Sequence, residues 1–101
     1  MSDADPQNAE SLALAPVLDL KAAAPLKAAL LERRGHPLEI DAADVQRMGG
    51  LCLQVLLAAA AAWRNDGVSM RVGPHSDAFM DALRIFGGEA AFQFQPEGVS
   101  L

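Results

Sequence analysis

The chain has 101 residues, 8 of them basic and 13 acidic, giving a net charge of −5 and an isoelectric point near 4.7; 51 % are apolar and 21 % charged. This is a single globular domain with material for one core, which excludes the disordered and fibrous classes. An acidic balance without a basic run argues against nucleic acid and anionic membrane surfaces as partners, because both are gripped by clustered Lys and Arg.

Met1 to Glu10 is polar, with Asp3, Asp5 and Glu10 bringing three negative charges, and is expected to be a flexible acidic tail (1–10) ahead of the domain (11–101). It lacks the apolar run of a secretory leader, so the expected location is the cytoplasm. Ser11 to Pro16 alternates as an edge strand that Pro16 ends, and Val17 to Asp19 is a second short extended piece. Leu20 to Arg34 reads as a helix: Leu26, Ala29, Leu30 and Arg33 share a face, Pro25 falls in the first turn or so, and Gly35 suits the position after the last turn. His36 to Asp41 is a strand with Leu38 and Ile40 on one face, followed by a loop from Ala42 to Met48. After a long apolar helix come a strand at Val68 to Val72, a helix from about His75 to Phe86 with Ser76 or His75 near its cap, and a last strand at Ala91 to Gln95. Strand and helix alternate about three times, which predicts a single small α/β domain: a mixed β-sheet with helices packed against it.

The apolar helix is the unusual element. Leu51 to Trp63 is thirteen residues with Gln54 alone clearly polar, about 20 Å of helix and too short for a bilayer core of about 30 Å. One stripe, Leu53, Leu56, Leu57 and Ala60, suffices to face a sheet. Cys52, Val55, Ala59 and Ala62 are then left for a sandwiched position inside the domain, a partner's docking face, or a bound hydrophobe.

Gly49-Gly50 precedes this helix. The pair suits a tight strand-to-helix turn, the close approach of another backbone, or an anion at open helix amides. It is neither a phosphate loop, lacking Gly-Lys-Ser/Thr, nor a dinucleotide fingerprint, lacking a third glycine.

No catalytic constellation emerges elsewhere. Cys52 has no base near it in sequence, and a small filler is its simpler role. His36 lies in a turn and His75 at a helix start, while Glu39, Asp41 and Asp44 are a solvated acidic loop or, at most, a cation site. Trp63 is a packing residue or an interface anchor. No enzyme activity, cofactor or metal is expected.

Leu38 to Leu57 (LEIDAADVQRMGGLCLQVLL) resembles the central strand, loop and helix of the STAS domain, the family of anti-sigma-factor antagonists and of regulatory domains of lipid and sulfate transporters. Leu18 to Leu30 is similar to that family's first helix with its lead-in, and Val68 to Gly88 to its next strand and helix, so the likeness runs from about 11 to 95. The family's switch is an Asp-Ser pair at the start of the long helix, whose serine a partner kinase phosphorylates. Those positions are Gly49 and Gly50 here, so the resemblance implies a surface locked in one state, without the charge of about −2 that a phosphate brings. It also implies that loop and helix together grip partners, over Arg47, Met48, Gly49, Gly50, Leu51, Cys52, Gln54, Val55 and Ala58. The run from Arg47 to Ala59 looks like the stand-alone, chemotaxis-associated STAS proteins of the CheS type. The implied partner is a chemotaxis histidine kinase or a response regulator. The alternatives are a lipid-transport ATPase complex and an anti-sigma factor, with a homodimer left open.

Overall fold

A computed structural model of the chain describes residues 9–94. Nine elements follow one another: β1 (Glu10–Ala13), β2 (Val17–Leu18), α1 (Ala23–Glu32), β3 (Leu38–Ala42), β4 (Arg47–Met48), α2 (Gly50–Asp66), β5 (Met70–His75), α3 (Asp77–Ile85) and β6 (Gln93–Phe94). Short 3-10 turns at Leu20–Ala22 and Glu89–Ala91 precede α1 and β6. The architecture is the expected α/β domain with helices on a sheet. Four strand starts and the three helix starts sit one to three residues from where sequence patterning puts them. Residues 1–8 of the expected tail, and Gln95 of the expected last strand, lie outside the described residues, while Glu10 opens β1.

The main sheet has the order β1-β3-β5-β6, and β2 pairs with β4 in a separate two-stranded piece. Every described pair runs parallel, because the connections between paired strands contain helices rather than hairpins. Register separates two faces. Ser11, Glu39, Arg71 and Gln93 form one cross-strand row, while Leu12, Ile40, Val72 and Phe94 form the next. Leu38, Ile40, Ala42, Met70 and Val72 are buried, whereas Glu39 and Arg71 are half-exposed. Helices therefore cover one face only, an arrangement more usual for antiparallel sheets than for parallel ones.

This one-sided layer explains α2. The helix packs on the sheet at β5, against α1 on one flank and against the 89–91 turn on the other. Cys52, Leu53, Leu56, Ala59, Ala60 and Trp63 are all buried as a result. Cys52 and Ala59, which a sheet alone would leave uncovered, are covered by this flanking contact. The helix also runs past Trp63 to Asp66, where Gly67 ends it at φ 69°, a left-handed turn that a side chain resists. No described helix is long and apolar enough to cross a membrane.

Trp63 joins the layers at the far end of α2. It is 2 % exposed, and its indole N–H donates to the His36 carbonyl at 2.8 Å, fixing the turn between α1 and β3. Packing is thus its role in the fold. Trp63→Phe removes that donor and part of the ring, and should lower stability by about 2–3 kcal/mol. Urea unfolding followed by circular dichroism should show a lower midpoint at unchanged slope.

Candidate docking surface

The loop before α2 is built by local hydrogen bonding. Pro16 O accepts from the Gln46 and Arg47 amides at 2.7 and 3.2 Å, and Leu18 O accepts from the Gly49 amide at 2.9 Å. These bonds, with the Val17↔Arg47 and Leu18↔Met48 register, turn part of an expected loop into β4. Two-residue strands escape periodicity, which needs at least four residues to show alternation.

Neither glycine of the pair is there for backbone reasons. Gly49, just before α2, is extended at φ −88° and ψ 173°, and neither Gly49 nor Gly50 has a positive φ. A Cβ on Gly49 would meet the Leu18 carbonyl at 3.7 Å and one on Gly50 the Phe86 ring at 3.7 Å, both ordinary contacts. The steric explanation from a strand-to-helix turn is therefore corrected: this turn accepts a side chain at either position. α2 starts without a side-chain cap.

The expected partner-binding residues divide by exposure. Arg47, Gly49, Leu51, Gln54 and Ala58 are exposed, and Met48, Gly50 and Val55 half-buried. Leu51, Gln54, Val55 and Ala58 fall at i, i+3, i+4 and i+7, one stripe of α2, and line a groove of about 360 Å³ between α1 and α2. Arg47, Met48 and Gly49 line a second hollow, against α3, with Val17, Asp81 and Ile85. Cys52 does not belong with them. It is 1 % exposed, and its thiol donates to the Asp19 carbonyl at 3.3 Å. Desolvation, with a smaller contribution from the Asp19 charge, pushes the thiol up from its ordinary value. The reason is angular: Cys52 shares the arc of Leu56, Ala59 and Trp63, which turns toward α1 and the 20–22 turn.

Three further residues complete the surface and went unread in the sequence. Ile85 is 76 % exposed, Leu20 73 % and Phe86 55 %, alongside Leu51 at 46 %. Phe79, Ala82, Leu83 and Phe86 have the spacing of one buried helical face. Only the first three are buried, because α3 ends at Ile85 and Phe86 swings over Gly50. Leu20 is held beside the first turn of α2 by Asp19, whose side chain caps the 20–22 turn at Lys21 and Ala22 and whose carbonyl takes the Cys52 thiol. Phe86 lies against Gly50, Ile85 lines the hollow with Met48 and Gly49, and Leu31, 57 % exposed, lines the α1–α2 groove with Leu51.

The remaining polar candidates lie elsewhere. His36 is exposed in its turn, and His75 ends β5 with its ring edge-on to Phe94 at 5.5 Å. Asp41 accepts from the Ala43 amide at 3.1 Å, as a turn carboxylate does. Among the described residues no group of three His, Cys, Asp or Glu is placed to hold a metal ion. Arg34 and Asp66 pair at 2.9 Å at the far end of α2; this hydrogen bond holds the Asp66 carboxyl below its usual range and raises the guanidinium.

A family model described as "Mlab, STAS domain" matches residues 1–92. The chain belongs to the STAS domain family. None of the curated proteins matches it. A STAS domain is a regulatory and interaction module, and the one-sided sheet with three helices agrees with that fold. Within this STAS domain, the buried Cys52 thiol should react with a disulfide reagent on the order of 100-fold more slowly than in urea-unfolded chain. Absorbance of the released thiolate measures both rates.

Proposed function

We propose that this STAS domain is a docking module whose binding face is centred on Gly49-Gly50, and that its partner is a chemotaxis histidine kinase or a response regulator. The observation that carries the docking role is the setting of the glycine pair. Leu20, Leu51, Ile85 and Phe86 stand exposed around two residues that the backbone does not require to be glycine. Bare backbone inside an apolar rim lets a partner's main chain approach closely. Arg47 and Gln54 supply charge and directional hydrogen bonding at its edge, and Met48, Val55 and Ala58 extend the contact.

With no hydroxyl at position 50, the face stays in one charge state at the point where the family's resemblance places a phosphorylated serine. Binding is then governed by partner concentration rather than by a phosphate at this site. The partner class rests on the likeness of Arg47 to Ala59 to chemotaxis-associated STAS proteins. The family description itself carries no chemotaxis term. Transporter ATPases and anti-sigma factors are the competing occupants of the same face.

Gly50→Glu is the variant that tests the reading. Its Cβ fits against Phe86, a carboxylate in the first turn suits the helix dipole, and the fold should stay intact with an unchanged or higher Tm. Affinity capture from the native extract should recover a chemotaxis kinase or response regulator with the wild type, and Gly50→Glu should weaken its Kd by at least about tenfold. Equal affinity of the two proteins overturns the docking face. Capture of a transporter ATPase or an anti-sigma factor instead overturns the partner class and keeps the face.

A further inference from the structure

The loop at residues 43–49 that presents the glycine pair is tied down from two directions. On one side the carbonyls of Pro16 and Leu18 hold the amides of Gln46, Arg47 and Gly49. On the other, from the start of α3, the Ser76 hydroxyl donates to the Val45 carbonyl at 2.6 Å. The same oxygen accepts from the Phe79 amide at 3.1 Å and so caps α3. The Ser76 amide donates to the Ala42 carbonyl at 3.0 Å, just where the β3–β5 register shifts between Ile40 and Ala42. Ser76 thus binds the start of α3 to both ends of the Ala42–Val45 turn. Nine residues on, α3 ends at Ile85, and Phe86 lies against Gly50. A short rigid helix therefore meets the docking region at both of its ends.

We propose that Ser76 is a positioning residue of the docking surface. Its bond to the Val45 carbonyl fixes the separation of the 43–49 loop from α3, and through α3 the seat of Phe86 on Gly50. The inference rests on the reading of this face as the docking site. Capping alone does not require it, because a cap needs only an acceptor, and Asp serves as well as Ser. The one Ser76 oxygen both accepts from Phe79 and donates to Val45, which an acceptor-only carboxylate does not do. Ser76→Asp keeps the cap and sets a carboxylate against a carbonyl, a repulsive pairing inside a segment where Val45 is 2 % exposed. Ser76→Thr keeps both bonds.

The two roles separate in amide hydrogen exchange by NMR on the full ¹⁵N-labelled chain, together with the cross-peak between the Phe86 ring and the Gly50 Cα protons. Ser76→Thr should match the wild type. Ser76→Asp should leave Phe79 and Met80 protected, while the Gln46 and Gly49 amides exchange at least about tenfold faster and the Phe86–Gly50 cross-peak weakens. Wild-type exchange at Gln46 and Gly49 in Ser76→Asp would reduce Ser76 to a helix cap and overturn the proposal. Uniform acceleration of all amides, or loss of loop protection in Ser76→Thr, overturns it too, since a positioning role is local and satisfied by any hydroxyl. No partner enters this measurement, so its failure leaves the docking reading standing, while equal partner affinity of Gly50→Glu removes that reading whatever Ser76 does.

Discussion

The constraint that shapes this domain is a parallel sheet covered on one face. All helical packing must then be found in a single layer, and the middle helix of that layer loses contact with water on three sides. α2 is that helix: sheet beneath, α1 on one flank, the 89–91 turn on the other. Its alanines follow from this position. Ala59 and Ala60 are buried, and small side chains there let α1 and the sheet come close without a clash. Gly88 is buried beside this helix as well, where a Cβ would make ordinary contacts with Leu57 and Leu83, at 3.5 and 3.6 Å. An apolar helix that looks too greasy for a surface element is thus explained by its neighbours, and only its first turn and outer stripe are left to meet another molecule.

The polar face of the sheet tells the complementary story. Ser11, Glu39, Arg71 and Gln93 alternate with the buried row along every strand, so the sequence carries a period of two although the strands are parallel. Fully covered parallel strands would read as continuous apolar runs instead. That alternation is why β3 and β5 are legible from residues alone. The helix ends are legible for local reasons too: Gly35 at φ 90° and Gly87 at φ 67° adopt the conformation that glycine alone takes readily, and Ser76 caps α3 with its own oxygen.

What stays hidden in the sequence depends on contacts between distant segments. β4 exists because Pro16 and Leu18 offer carbonyls to it; nothing in Arg47-Met48 itself announces a strand. Cys52 passes for a surface residue while α2 is imagined against a sheet alone, and moves to the core once α1 and the 20–22 turn are in place. Phe86 errs in the other direction. Its spacing from Phe79 belongs to the core, yet the helix stops one residue short and delivers the ring to the docking end. Family resemblance finds the glycine pair, since it compares positions. It is silent on Leu20, Ile85 and Phe86, whose importance lies in exposure.

The glycine pair is where stability and function part company. Helix propensity alone favours alanine at position 50 over glycine, by up to about 1 kcal/mol in a helix interior and less at its start. The backbone around the pair would accept that alanine: φ is not positive, and the nearest atoms stand at van der Waals distance. A residue that folding would trade away, set inside a rim of exposed Leu20, Leu51, Ile85 and Phe86, is best understood through what lies outside the domain. A side chain of any size at position 50 would stand between Phe86 and an approaching main chain, and a phosphorylatable one would add a charge to an apolar rim. Glycine does neither. On the proposed docking reading, the absence of a side chain at position 50 both leaves no hydroxyl for a phosphate and lets a partner's main chain come close, so one missing Cβ would account for a constant charge state and a close contact together.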